Sequence, residues 1–79
     1  MDRAIVHFIN KNFSTDIEIP LDITGNELII ALNEAYRLGI NTDNMKECYL
    51  KCEDPIVLIK GIKTLEEYGI RTGSILRYE

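Results

Sequence analysis

Long apolar runs are missing from this chain: the longest, Leu28 to Leu32, falls far short of the ~18–20 residues a membrane span needs. Direct membrane insertion is therefore not expected. The N-terminus, Met1-Asp2-Arg3 followed by strand-like residues, lacks the apolar stretch and cleavage site of a secretory signal, so the expected location is the cytoplasm. Basic clusters are missing too. Nine Lys and Arg stand against thirteen Asp and Glu, for a net charge of −4, and the basic residues are scattered. Phosphate-rich polymers are held by clustered cations that release counterions on contact, so nucleic acid is not an expected partner. Cysteine is scarce, with only Cys48 and Cys52. On one strand, four residues at ~3.3 Å each would separate them by ~13 Å. A disulfide needs Cα atoms within ~7 Å, so the two thiols cannot pair within that strand, which fits a reducing compartment.

The same scarcity limits chemistry. Cys48, Cys52 and the single histidine, His7, give at most three metal ligands, where a structural zinc site takes four. Cys48 with His7 as nucleophile and base would need contact and a third orienting group, and no local motif supplies one. The glycines are spaced as turn and cap residues rather than as a phosphate-binding loop. Neither a catalytic residue, a metal nor a cofactor is expected, and the cysteines read as small core residues. Glu66 and Glu67 sit where a helix begins, and the helix dipole accounts for them.

What is present is a regular succession of short elements. From Arg3 to Ile9 the residues alternate, with Ala4, Val6 and Phe8 on one face and Ile5, His7 and Ile9 on the other. Asn10-Lys11-Asn12 turns the chain back, and Ser14 to Leu21 alternates again, with Ile17, Ile19 and Leu21 inward. Thr24-Gly25-Asn26-Glu27 is a capping box. It predicts a helix to about Leu38, stopped by Gly39, with Leu28, Ala31, Leu32 and Ala35 on its buried face. Ile30 falls on the polar side. Asn41 to Lys46 reads as a loop and Glu47 to Cys52 as a strand with Cys48, Leu50 and Cys52 on one face. A turn at Asp54-Pro55 precedes a short strand, Ile56 to Ile59. Thr64-Leu65-Glu66-Glu67 is a second capping box, opening one helical turn that Gly69 ends, and Ser74 to Tyr78 is the last strand.

This order, ββαββ(short helix)β, is that of an α+β β-grasp: a mixed sheet of four to five strands packed on one main helix, filling residues 1–79 as one domain. The stretch Thr64-Leu65-Glu66-Glu67-Tyr68-Gly69-Ile70 and the strand after it resemble the C-terminal part of ubiquitin. The resemblance implies core positions for Ile17, Ile19, Leu28, Leu32, Leu65, Ile70, Leu76 and Tyr78. Ubiquitin and the bacterial sulfur carriers end in Gly-Gly, whereas this sequence ends Leu76-Arg77-Tyr78-Glu79. Conjugation and sulfur carriage through the C-terminus are accordingly not expected. A ubiquitin-like chain of this length, with the ending Gly69-Ile70-x-x-Gly73-x-x-Leu76, resembles the YukD/EsaB family of bacterial cytosolic proteins associated with type VII (WXG100) secretion. That resemblance implies a non-conjugating protein-interaction module in an accessory or regulatory role, with protein partners drawn from the secretion machinery or from a second copy. The alternatives are a tail-less or truncated relative of the carriers and modifiers, and a cytosolic domain of a larger transporter subunit.

The expected binding surface is the sheet face away from the helix. It should carry Ile5, His7 and Ile9 from the first strand, Tyr49 and Lys51 from the third, and Ile75 and Arg77 from the last. Contiguous apolar side chains there would form a patch of a few hundred Å², the size that marks binding sites.

Overall fold

A computed structural model describes residues 2–78 of the chain. Five strands and one main helix follow in the order β1 (Arg3–Asn10), β2 (Phe13–Pro20), α1 (Gly25–Tyr36), β3 (Leu50–Glu53), β4 (Val57–Ile59) and β5 (Ile75–Tyr78). A 3-10 segment, Thr42–Glu47, stands between α1 and β3 where a plain loop was expected. The strands lie side by side as β2-β1-β5-β3-β4. β1 and β5 are parallel and the other pairs antiparallel, so the sheet is mixed.

Alternation builds the core. Ala4, Val6 and Phe8 of β1 point inward and are buried, as are Leu50 and Cys52 of β3 and Leu76 of β5. Across the layer they meet Leu28, Ile29 and Leu32 of α1, with Leu65 and Ile70 closing the end. Each such aliphatic or aromatic side chain removed from water contributes about 1.5–3 kcal/mol. Phe8, Phe13 and Tyr36 stack their rings 5.2 to 5.9 Å apart and seal the hairpin against the end of the helix.

The helix begins as its capping box requires. Thr24 Oγ1 accepts the Glu27 amide at 3.1 Å, and Glu27 Oε1 accepts the Thr24 amide at 2.9 Å. Its buried stripe is Gly25, Leu28, Ile29 and Leu32, whereas Ala31 and Ala35, expected inside, are exposed. Five successive apolar residues leave the phase of a 3.6-residue period open. Packing decides it: Gly25 lies so close to the Lys60 backbone that a Cβ would meet its nitrogen at 2.8 Å. The end differs as well. Arg37, not Gly39, takes the left-handed cap, at φ 52° and ψ 56°. The Asn33 side chain holds both backbone groups of Ile40, at 2.9 and 3.2 Å, and draws the chain out of the helix early.

The connection from β4 to β5 is stitched to the entry of α1. Gly25 and Asn26 donate their amides to Lys63 O and Gly61 O, while Leu65 and Glu66 donate theirs to Ile23 O and Leu21 O. Within this connection Thr64 and Glu67 exchange the contacts of a second capping box, at 3.0 and 3.2 Å. The expected short helix is one hydrogen-bonded turn, Tyr68 N–H to Thr64 O at 3.1 Å, which Gly69 ends at φ 83°. The turn before β4 is braced by the buried Ser74, whose hydroxyl donates to Asp54 O at 2.8 Å, and by an Arg71–Asp54 ion pair.

Candidate functional site

Period-two alternation sends every second side chain of the sheet away from α1, and register fixes which of them meet. His7 stands beside Ile75, and Ile9 beside Arg77, across the parallel β1–β5 pair. Lys51 stands beside Arg77, and Glu53 beside Ile75, across β3–β5. One row of the outward face is thus Asp16, His7, Ile75 and Glu53, and the next is Ser14, Ile9, Arg77, Lys51 and Leu58. Ile5 lies one step further along β1, opposite Glu18, and is 53% exposed. Ile5, His7, Ile9 and Ile75 therefore come together in the middle of the face. His7, Ile9, Ile75 and Arg77 are half-buried, and Lys51 is exposed.

Polar pairs frame this apolar centre. His7 Nδ1 lies 2.8 Å from Asp16 Oδ1, Arg77 Nε donates to Glu53 Oε1 at 2.8 Å, and Arg3 lies 3.4 Å from Glu18. The pairs are solvent-exposed and add little stability. They set polar side chains around the isoleucines.

Tyr49 does not join the isoleucines. It precedes β3 rather than lying in it, and the row holding Arg77 and Lys51 separates it from Ile75. Instead it lines a half-open cavity of about 340 Å³ with Lys51, Arg77, Tyr78, Asn44 of the 3-10 segment and Asn41, which caps that segment. Three exposed apolar residues lie beyond the surface the sequence suggested. Leu58 is 52% exposed beside Lys51, and Ile56 and Ile62 flank β4 at 89% and 88%. A strand of three residues is too short for alternation to reveal its outward side, and that β4 ends the sheet depends on strand order.

The reactive side chains are not assembled. His7 faces outward to Asp16, whereas Cys48 is part of the core and donates its thiol to Asn41 O and Asn44 O. Burial pushes the Cys52 thiol up to about 11, helped by the nearby Asp54 and Glu53 carboxylates and opposed by Arg71. At neutral pH it stays protonated and weakly nucleophilic. Thr64 lowers the Glu67 carboxyl by donating first its backbone and then its hydroxyl hydrogen. Among the described residues no three His, Cys, Asp or Glu side chains group as metal ligands, and no helix is long and apolar enough to cross a membrane.

A family model described as "WXG100 protein secretion system (Wss), protein YukD" matches residues 3–77. No curated protein sequence matches significantly. Solved structures resemble the chain over nearly its whole length. The C-terminal ubiquitin-like domain of mouse tubulin-specific chaperone e has a TM-score of 0.70 at 16% identity, with 98% of this chain and 87% of that one covered. The ubiquitin-like domain of Plasmodium falciparum Dsk2 gives 0.65 at 18% identity, covering 99% and 100%. That of the Mycobacterium tuberculosis type VII secretion system protein ECCD1 gives 0.58 at 17%, covering 98% and 97%. At these identities the likeness establishes the fold, a ubiquitin-like β-grasp.

Proposed function

Since the chain belongs to the YukD family of the WXG100 protein secretion system and is a ubiquitin-like module of secretion, we propose that it serves that system by binding a protein partner on the outward face of its sheet. In this reading it is an accessory component in the bacterial cytoplasm, and it works by contact rather than by chemistry. The observation that carries the proposal is the cross-strand group Ile5, His7, Ile9 and Ile75, turned away from the helix inside a frame of paired polar side chains. Apolar residues grouped in this way give a partner area to exclude water from, and the charged rim gives it orientation. Lys51 and Arg77 extend the surface toward the cavity beside Tyr49. The likeness to the ECCD1 domain supports the type VII assignment of the partner, because that domain carries the same fold in a protein of that system.

The test is capture of the tagged protein from its own cells, with bound proteins identified by mass spectrometry, for the wild type and for Ile5→Asp and Ile75→Asp. Secretion ATPase or membrane-channel subunits are expected with the wild type, and at least about a tenfold loss with each variant, the effect of removing a central anchor. Circular dichroism checks that the variants remain folded. Undiminished capture by folded variants would place the binding surface elsewhere. Recovery of an adenylating enzyme or sulfurtransferase instead would replace the adaptor reading with a carrier one.

A further inference from the structure

His7 is the polar member of the outward group, with Ile5 and Ile9 on either side of it along β1 and Ile75 beside it on β5. Its Nδ1 lies 2.8 Å from Asp16 Oδ1, the residue opposite on β2. A carboxylate oxygen offers only lone pairs, so the hydrogen in this contact belongs to Nδ1. A neutral imidazole carries one such hydrogen, and the bond made at one nitrogen sets the state of the other. Nε2 is therefore a bare lone pair, an acceptor. Among the described residues it has no hydrogen-bond partner, and the ring is half-exposed, so solvent reaches it.

Docking changes that balance. A partner laid on Ile5, Ile9 and Ile75 covers the ring between them and shuts water away from Nε2. A buried acceptor without a donor weakens binding by about tenfold or more, so the partner has to bring a donor to this point. That donor is neutral, because an ammonium or guanidinium among isoleucines gives up its hydration for one bond to a neutral ring. The ring docks neutral for the same reason, since burial disfavours an imidazolium. Few charged groups face it. On β2 they are Asp16 and, at the next outward position, Glu18, which is paired with Arg3; on β5 Arg77, paired with Glu53, stands one outward step beyond Ile75.

We propose that the partner of this face presents a neutral O–H or N–H donor, set within an apolar segment, to His7 Nε2, and that Asp16 is the positioning residue that keeps this nitrogen an acceptor. The inference rests on the sheet-face reading of the function and adds to it the chemistry of the partner at one atom.

Two measurements test it. Nitrogen-15 imidazole spectra of the full chain at about pH 8, where histidine is ordinarily neutral, are expected to show the His7 hydrogen on Nδ1, and on Nε2 in Asp16→Ala. Asp16 is exposed, so this variant keeps the core. A wild-type hydrogen on Nε2, or a ring that Asp16→Ala leaves unchanged, overturns the proposal. The second measurement is capture from cells, scored on the proteins that the wild type recovers and that Ile5→Asp and Ile75→Asp lose. His7→Leu, which keeps bulk and removes the acceptor, is expected to lose them about tenfold, while His7→Gln, whose Oε1 can accept, retains most of them. Wild-type capture is expected to be stronger at about pH 8 than at about pH 5.5, where a second hydrogen turns Nε2 into a donor, and His7→Gln to lack that difference. Undiminished capture by His7→Leu, with the isoleucine variants still losing their partners, overturns the inference and leaves the face in place. Stronger wild-type capture at acid pH overturns it as well, by making the partner the acceptor. Isoleucine variants that lose nothing remove the face itself, and the inference with it.

Discussion

Replacing Gly25 by alanine should cost this protein stability, against the ordinary rule for helices. In an exposed helix interior, glycine to alanine gains about 1 kcal/mol. Here an added Cβ would stand 2.8 Å from Lys60 N and 2.9 Å from Lys60 C and O. Those are backbone atoms, so no side-chain rotation relieves the contact. The segment is also held in place by Gly25 N–H to Lys63 O at 3.0 Å and Asn26 N–H to Gly61 O at 2.9 Å, and by Gly61 N–H to Asn26 Oδ1 at 2.9 Å. Making room means moving the helix entry off the connection and weakening these bonds, each worth about 1 kcal/mol. With an overpacking cost of about 1–3 kcal/mol and the propensity gain set against it, the net loss is about 2 kcal/mol. For a chain of this size that lowers Tm by about 8–16 °C. Urea denaturation followed by far-ultraviolet circular dichroism, with a thermal melt, measures it. An alanine variant as stable as the wild type would mean that α1 does not approach Lys60 as described, and the packing argument for the helix phase would fail with it.

Arg37→Gly should raise stability by about 1 kcal/mol, because Arg37 occupies a left-handed position that glycine adopts without a Cβ penalty; an unchanged or lower urea midpoint counts against the early helix end. Ile29→Ala should lose about 2–4 kcal/mol by opening a cavity, while Ala35→Glu stays within about 0.5 kcal/mol. The reverse order in denaturation would restore the helix face expected from periodicity. The Cys52 thiol, at about 11 in the folded protein against an ordinary 9.0, keeps its proton where the unfolded chain has lost it. Stability should therefore be intact below about pH 8 and fall by about 2–3 kcal/mol as pH rises from about 9 to 11. Cys52→Ala should flatten that fall, and an equal slope in the variant would assign it to other groups.

The capping boxes at Thr24 and Thr64 and the inward set of β1 were legible because each is local, a spacing of three residues or an alternation of two. The outward group Ile5, His7, Ile9 and Ile75 followed from that alternation once the sheet was assumed. The helix phase was not legible, since Leu28 to Leu32 are all apolar and the Gly25–Lys60 approach joins residues 35 apart. Nor was the helix end, which Asn33 sets through Ile40 although Gly39 offers the more familiar stop. Tyr49 left the apolar group because β3 starts at Leu50 rather than at Glu47, and the register of β3 on β5 puts the Lys51–Arg77 row between Tyr49 and Ile75. Ile56, Leu58 and Ile62 were passed over because apolar residues around a short strand read as core until the order of strands is known.

β5, the last of the described strands, lies between β1 and β3, paired with β1 across 68 positions of sequence at His7 and Ile75. Synthesis runs from the N-terminus, so until β5 emerges the nascent chain holds two half-sheets with the facing edges of β1 and β3 unmatched. Completion then depends on a single long-range docking step, of the kind that slows folding toward the millisecond-to-second range. During that interval the edges of β1 and β3 that β5 later joins are open to pairing with other strands, a hazard the docking of β5 removes.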